Sequence, residues 1–206
     1  KASKVLEMIK RNALQPSSVV EVGCGVGEIL NQLHENMTQG PQFVGYDISP
    51  DAITIANERA KDRLTFHQED FLQKDDNFDL LLMIDVFEHV EDSYSFLKAC
   101  RPRAKYHIFH IPLDISVQAV LRNTMMNQRK KVGHIHYYTK DTALATLEDC
   151  GYTIMDNMFT KGSMELNHQE GRSGFMRTIR KMAYNWNEDR ASKLLGGSSL
   201  MVLAKG

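Results

Sequence analysis

Short apolar runs alternate with amphipathic segments along most of this chain. The runs are rich in β-branched and other large apolar residues, which is typical of strands buried on both faces of a sheet. The segments between them repeat apolar residues at helical spacing, as at positions 3–14 and 53–60. Strands that alternate with helices predict an α/β fold with a doubly wound sheet. The runs that predict strands are 18–22, 42–48, 64–68, 78–84, 106–111, 152–155 and 199–204.

A glycine-rich turn follows the first predicted strand. Gly23, Gly25 and Gly27 stand at alternate positions, and an amphipathic pattern begins directly after them. Strand, glycine turn and helix form the opening unit of a doubly wound domain, in which ligands bind beyond the carboxyl ends of the strands. Glycine allows a ligand to approach the backbone without meeting a Cβ atom. The turn is therefore a candidate cofactor site, although an ordinary tight turn remains an alternative.

The spacing of this turn bears on which cofactor it binds. A dinucleotide-binding turn has the form G-x-G-x-x-G, and the position of its third glycine is Glu28 here. A carboxylate at that position disfavours a pyrophosphate at close range. A second acidic residue, Glu21, lies within the strand just before the turn. Both carboxylates favour a ligand with positive charge, such as an ammonium or a sulfonium.

From Glu21 to Gly27 the sequence resembles the first motif of the class I S-adenosylmethionine-dependent methyltransferases, acidic-x-G-x-G-x-G. This resemblance implies S-adenosylmethionine as the cofactor and S-adenosylhomocysteine as the product. It implies a seven-stranded, mostly parallel sheet whose last strand inserts antiparallel between the fifth and sixth. It also implies that Glu21 and the backbone at Gly23, Cys24, Gly25 and Gly27 hold the methionine portion of the cofactor.

Four positions further along the chain complete the expected nucleoside site. Asp47 ends the second predicted strand about twenty residues past the turn, where a carboxylate binds ribose because it accepts from both hydroxyls of a diol. Ile48 is expected to cover one face of the adenine. The resemblance places Asp70 near the adenine amino group and the Phe71 amide at the ring. The alternatives are a helix cap for Asp47 and a solvated turn residue for Asp70.

The clearest apolar run, 78–84, leads directly into Asp85, Glu88 and His89. Methyltransferases that act on small molecules, including the ubiquinone-pathway O-methyltransferases, carry a similar strand followed by Glu-His-Val. Asp85 is expected to face the methionine portion or the methyl group. Glu88 and His89 are candidates for a base or a metal ligand, since imidazole titrates near neutrality. The alternative for His89 is packing beneath the next helix.

A second pair of histidines, His134 and His136, lies before the helix that precedes the sixth strand. On an extended segment the two side chains share one face, where they can bind a substrate hydroxyl, remove its proton or hold a metal. Two histidines alone make an incomplete metal site, so no metal is assigned. The alternative is that both bond to backbone. By contrast, His107 and His110 are three apart on a strand and point to opposite faces.

Two helical insertions are expected within a single domain that spans residues 1–206. The first, about 113–133, repeats apolar residues at helical spacing from Asp114 to Arg129 and is interpreted as a lid over the site, with a helix docked on the core as the alternative. The second, about 165–195, carries a helical stripe with a basic opposite face. That face is solvated, or it contacts anionic lipid or substrate. The stripe comprises Phe175, Ile179, Met182 and Trp186, and the basic face Arg172, Arg177, Arg180 and Lys181.

Composition limits the partners. The chain has 206 residues and a formal net charge of -1, so no global field draws it to nucleic acid or to an anionic membrane. Its three cysteines are far apart, which favours a reducing compartment. The longest apolar runs are shorter than the roughly twenty residues that span a bilayer, and positions 1–14 are too polar for a signal peptide. We expect a cytoplasmic protein with no integral membrane segment.

These features together predict an enzyme that transfers a methyl group to a small organic acceptor, with a hydroxyl oxygen as the expected methyl acceptor. His134, His136 or His89 is the expected base. One alternative is a methyltransferase-like binding subunit without activity. Another is an NAD-dependent oxidoreductase, which Glu28 and Glu21 disfavour. Adenine N6 methylation is disfavoured because no Asn-Pro-Pro-Tyr-like tetrad follows the fourth strand.

Overall fold

A computed structural model describes residues 1–37, 40–161 and 182–206. Its seven strands form one sheet in the order β3-β2-β1-β4-β5-β7-β6. The strands are β1 Ser18–Val22, β2 Gln42–Asp47, β3 Leu64–Gln68, β4 Phe78–Ile84, β5 Ala104–Pro112, β6 Thr153–Lys161 and β7 Ser198–Lys205. The helices are α1 Ala2–Arg11, α2 Glu28–Asn36, α3 Pro50–Asn57, α4 Ser93–Cys100, α5 Val117–Leu121, α6 Thr124–Val132, α7 Lys140–Asp149 and α8 Glu188–Leu195.

The sheet topology confirms the predicted α/β fold. Strands β1 to β5 pair in parallel, and β7 lies antiparallel between β5 and β6. The chain order reverses between β1 and β4, which are direct neighbours. In doubly wound sheets ligands bind at this reversal, beyond the carboxyl ends of the strands.

Two apolar layers hold the helices against the sheet. Val19 and Val20 are both fully buried, yet they belong to different layers because neighbouring side chains on a strand point to opposite faces. Leu80, Leu81 and Leu82 in β4 are likewise inaccessible to solvent. This explains why the central strands appear in the sequence as unbroken apolar runs.

The first helical insertion differs from its prediction. Instead of one helix from Asp114 to Arg129, the chain forms α5 and α6, separated at Asn123. Asn123 adopts a left-handed conformation with φ of 52°, which asparagine tolerates better than most residues. The break turns the chain, so the apolar repeat does not belong to one continuous helix.

The second insertion is described only in part. Residues 182–186 are helical, and α8 follows them. Met182 and Trp186 are exposed. The other members of the predicted stripe and its basic face lie outside the described residues. Among the described helices, each is too short or too polar to span a bilayer.

We expect Leu203→Ala to destabilise the protein by about 2–5 kcal/mol, because Leu203 is fully buried in the central antiparallel strand and its removal leaves a cavity. Urea denaturation measures this loss. Met155→Ala is the matched control, since Met155 lies at the irregular start of β6 with its side chain exposed. Equal losses for the two variants would contradict the prediction that burial of Leu203 in β7 stabilises the protein.

Candidate cofactor and active site

The glycine loop between β1 and α2 is tied to the sheet by its own amides. The N–H groups of Gly23 and Cys24 both donate to the carbonyl oxygen of Tyr46 in β2, at 2.8 and 3.0 Å. The Gly27 N–H donates to the Cys24 carbonyl at 3.0 Å. Burial raises the pKa of the Cys24 thiol, so this side chain is neutral and fills space beneath the loop. These amides are engaged within the protein and are not free to bind a phosphate.

The three glycines differ in what surrounds them. All three have positive φ, but a Cβ atom at Gly23 would lie 2.7 Å from Val86, and one at Gly27 would lie 2.5 Å from Phe66. At Gly25 a Cβ atom would meet no atom of the described chain within 4 Å. Gly23 and Gly27 therefore allow close packing, whereas Gly25 borders the open space in which a ligand can lie.

Asp47 closes the other side of this space. Its carboxylate accepts from the Gly25 N–H at 2.8 Å and from the Ser49 N–H at 2.9 Å. Ile48, the next residue, is 76 % exposed although it is a large apolar side chain. An apolar surface beside a fixed carboxylate suits a nucleoside, whose base needs cover and whose ribose needs an acceptor. The predicted roles of Asp47 and Ile48 are compatible with this geometry.

Glu21 places a carboxyl group inside the sheet next to the loop. Its side chain is 1 % exposed, and its Oε2 atom has no hydrogen-bond partner among the described residues. Burial raises the pKa of Glu21 to about 8; the charge of Lys1 lowers it and that of Asp47 raises it further. An acidic group without a partner at this position favours a cationic ligand over a pyrophosphate.

The predicted adenine contacts lie at the end of β3. The Asp70 carboxylate accepts from the Leu72 N–H at 3.0 Å and so caps a short 3₁₀ turn. The Phe71 side chain is buried, with its ring centroid 5.5 Å from that of Tyr46. Asp70 therefore has a local structural role, and its contact with adenine remains a prediction.

Asp85 ends β4 in a strained conformation. It has a φ of 55°, and its N–H donates to the His110 carbonyl at 2.9 Å. Its Oδ1 atom lies 2.5 Å from Nδ1 of His110, and its Oδ2 atom pairs with the Lys1 ammonium. Burial alone would raise the pKa of Asp85, but the hydrogen bond and charge of His110 and Lys1 bring it below its usual value. Asp85 is thus a fixed carboxylate at the carboxyl edge.

Glu88, His89 and His134 form a cluster just beyond Asp85. The ligand atoms of the three side chains lie within 4.8 Å of one another, and the two imidazole centroids are 4.9 Å apart. Glu88 is fully buried, and neither of its oxygens has a hydrogen-bond partner among the described residues. Burial raises the pKa of Glu88 to about 8, and the charge of Asp85 adds to this effect.

The segment around His134 is held against the cluster by main-chain bonds. The N–H groups of Ile135 and His136 donate to the Glu88 carbonyl at 2.9 and 3.1 Å. The Nδ1 atom of His134 lies 2.6 Å from Oδ2 of Asp114, which leaves Nε2 for a ligand. His136 instead bonds through Nε2 to the Val90 carbonyl at 2.8 Å.

The structure therefore separates the paired histidines, because the segment from Gly133 to Thr139 is not a strand. His134 lies in one cluster with His89. His136 bonds to backbone, which is the alternative given above for this pair of histidines. Sequence reasoning missed Asp114, which carries no spacing signal. It also missed His110 as a partner of Asp85, although both lie at the carboxyl ends of neighbouring parallel strands.

The cluster can do two kinds of chemistry. Two imidazoles and a carboxylate can hold a divalent transition-metal ion, with Asp114 orienting the ring of His134. The same groups can bind a substrate hydroxyl and accept its proton. The sequence predicted Glu88 with His89 and His134 with His136 as two separate candidate pairs; the fold joins Glu88, His89 and His134.

A cavity of about 350 Å³ lies below α5, separate from the glycine loop. Its lining is mostly apolar, with Ile115 next to Asp114 in sequence and Val117, Val120 and Leu121 from α5. These three α5 side chains are more than half exposed. The first insertion thus provides an apolar surface beside Asp114, and its role as a lid stays a prediction.

The strand order, the glycine loop and the carboxylates at the carboxyl edge define the fold class of the nucleoside-binding methyltransferases. A family model described as a methyltransferase domain matches residues 2–157. The chain therefore belongs to this family, the class I S-adenosylmethionine-dependent methyltransferases that its first motif resembles.

Similar proteins agree with this assignment. The chain is 33 % identical to norajmaline N-methyltransferase of Rauvolfia serpentina over 92 residues, 41 % of this chain and 31 % of that protein. It is 29 % identical to a ubiquinone biosynthesis O-methyltransferase of Glaesserella parasuis serovar 5 (strain SH0165) over 103 residues, 45 % and 42 % of the two chains. The matches thus span less than half the length of these curated relatives.

Among solved structures, magnesium protoporphyrin IX methyltransferase from Synechocystis PCC 6803 with bound SAH superposes with a TM-score of 0.66 and 17 % identity. The match covers 99 % of this chain and 81 % of that one. This likeness shows a shared fold.

We expect Gly27→Ala to destabilise the protein by about 1–3 kcal/mol, since the new methyl group would overlap Phe66 at a left-handed position. Gly25→Ala shares the positive φ but meets no neighbour, so it should lose less stability and more affinity for S-adenosylhomocysteine. Thermal denaturation and titration calorimetry separate the two effects. The reverse order, with Gly25→Ala the less stable variant, would contradict this division of roles.

Glu21→Gln should stabilise the unliganded protein increasingly as pH rises. The carboxyl pKa is raised from 4.5 to about 8 on folding, so ionisation opposes folding and stability is lost between these values. The gain over wild type should grow by on the order of 2–4 kcal/mol from pH 5 to pH 8. Urea denaturation at both pH values measures it.

Glu7→Gln is the control for this experiment, since Glu7 is exposed and paired only with Lys4 among its described contacts. A gain for Glu21→Gln that does not change with pH would show that the carboxyl group is not destabilised by burial.

Proposed function

We propose that the protein transfers the methyl group of S-adenosylmethionine to a hydroxyl oxygen of a small organic acceptor. The observation that carries this proposal is the cluster of Glu88, His89 and His134. Glu88 follows Asp85 by three residues, so the cluster lies at the edge of the sheet where the cofactor is expected. Names of relatives support methyl transfer to small molecules, on oxygen in one case and on nitrogen in another.

The cofactor half of the site accounts for binding. The glycine loop leaves open space at Gly25, and Asp47 stands beside it as an acceptor for ribose hydroxyls. Asp85 supplies negative charge for the methionine portion, and ionisation of the buried Glu21 carboxyl becomes more favourable when that cation binds beside it. An environment of carboxylates favours the sulfonium form of the cofactor, which carries the reactive methyl group.

The acceptor half accounts for the chemistry. The acceptor oxygen attacks the methyl carbon in line as the carbon–sulfur bond breaks, which releases S-adenosylhomocysteine. The hydroxyl proton passes to Nε2 of His134, whose Nδ1 is held by Asp114 at 2.6 Å. That bond orients the ring and stabilises the imidazolium that forms. The apolar surface of α5 suits the organic body of the acceptor.

His134→Asn should lower kcat by about 10²–10⁴-fold, because it removes the proton acceptor while keeping a polar side chain of similar reach. The assay measures S-adenosylhomocysteine release over a panel of phenols, catechols, aliphatic alcohols and amines. Affinity for S-adenosylhomocysteine should remain within about twofold of wild type, since His134 lies outside the cofactor half. His67→Asn is the control, as His67 is an exposed residue stacked on Tyr46.

Two further arms test the alternatives. Thermal shifts with S-adenosylhomocysteine and with NAD compare the methyltransferase and the oxidoreductase, and stabilisation by NAD alone would contradict the proposal. Cofactor binding without turnover on any acceptor would favour a binding subunit, and turnover on amines alone would exclude the hydroxyl.

Treatment with a chelator tests whether activity requires a metal ion bound at the cluster. Activity that is lost on dialysis against a chelator and restored by one divalent cation would assign the cluster to a metal. His134 would then be a ligand instead of the base.

A further inference from the structure

A hydrogen-bonded chain of three side chains runs from β6 to the end of β4. The Oγ1 atom of Thr160 lies 2.8 Å from Nε2 of His110, and Nδ1 of His110 lies 2.5 Å from Oδ1 of Asp85. The three residues come from β6, β5 and the end of β4, so the contact depends on the tertiary fold. We call this set the Thr160–His110–Asp85 chain.

The inner members of this chain are shielded from water. His110 is 4 % exposed and Thr160 is 6 % exposed. The Asp85 carboxylate can only accept, so Nδ1 of His110 carries the proton directed at it. The Thr160 hydroxyl can donate to Nε2 or accept from it, so it pairs with Nε2 whichever protons the ring carries. Thr160 thus fixes the orientation of the His110 ring that binds Asp85.

The chain fixes an aspartate whose backbone is strained. Asp85 has a φ of 55°, in the left-handed region that residues other than glycine seldom adopt. His110 holds it twice, through its carbonyl to the Asp85 N–H at 2.9 Å and through its ring to the carboxylate. The strained backbone of Asp85 is held in place by both bonds from His110. This indicates that the position of the Asp85 carboxylate matters.

The remaining oxygen of Asp85 already faces a cation. Its Oδ2 atom pairs with the ammonium of Lys1, which also lowers the pKa values of Glu21 and Glu88. A positive group therefore lies among three carboxylates at the carboxyl edge. The cofactor of this family brings a positive ammonium and a sulfonium to the same edge, so Oδ2 is directed at the space that they need.

We propose that Thr160 and His110 are positioning residues that hold the Asp85 carboxylate for the positively charged methionine portion of the cofactor. This inference rests on cofactor binding and not on the identity of the acceptor. The competing view is that the chain only joins β6 to β5 and contributes stability. The two views differ in whether loss of the Thr160 hydroxyl changes cofactor affinity.

The experiment measures S-adenosylmethionine and S-adenosylhomocysteine affinity of the full chain by titration calorimetry. Thr160→Val keeps the shape of the side chain and removes its hydroxyl, whereas Thr160→Ser keeps the hydroxyl. We expect Thr160→Val to weaken binding about fivefold to tenfold and Thr160→Ser to stay within about twofold. Because no acceptor is present, the result is independent of the proposed hydroxyl chemistry.

Thr146→Val is the matched control. Thr146 is also a buried threonine, and its hydroxyl donates to the Thr142 carbonyl at 2.9 Å within α7. Urea denaturation should show a loss of stability for both valine variants, with cofactor affinity changed only by Thr160→Val. Unchanged affinity in Thr160→Val, or an equal change in Thr146→Val, would overturn the proposal.

A double-mutant cycle with Asp85→Asn completes the test. Asp85→Asn should weaken cofactor binding by at least tenfold, and adding Thr160→Val to it should have no further effect, because the hydroxyl acts only through the carboxylate. Additive losses in the double variant would show that Thr160 acts by another route and would overturn the assignment.

Discussion

Carboxyl groups gathered at the carboxyl edge of a parallel sheet are the constraint on which this site depends. Glu21 and Glu88 are almost fully buried with carboxyl oxygens that lack partners in the described chain, and Asp47 and Asp85 stand beside them. Such groups cost free energy when ionised in a dry environment. The carboxyl groups lie close together because parallel strands end at the same edge of the sheet. The free energy needed to ionise them falls when a cation binds. The site is therefore prepared for a positively charged ligand before one binds.

The glycine loop enforces the same preference through its backbone. A loop that binds diphosphate presents free amides, whereas the amides of Gly23, Cys24 and Gly27 donate to carbonyl groups of the protein, and that of Gly25 donates to Asp47. The carboxylates and the occupied amides thus both disfavour the binding of a pyrophosphate. The loop and the acidic residues discriminate against pyrophosphate together, which a glycine count alone does not reveal.

The parts of the molecule that sequence could predict are those with local signals. The buried strands have unbroken apolar runs, and the motif from Glu21 to Gly27 has fixed spacing. The pairings of His134 with Asp114 and of His110 with Thr160 join residues that are 20 and 50 positions apart, and no periodicity marks them. The split between α5 and α6 was missed because the apolar repeat continues through Asn123, where only the backbone angle changes.

The proposed acceptor half of the site is built from these long-range contacts. His134 and Asp114 belong to the first insertion and its exit, whereas the cofactor half comes from β1, β2 and the end of β4. Glu88 links the halves, since its carbonyl holds the His134 segment and its position follows from Asp85. A change in the insertion can therefore alter the acceptor while Gly25, Asp47 and Asp85 keep their geometry.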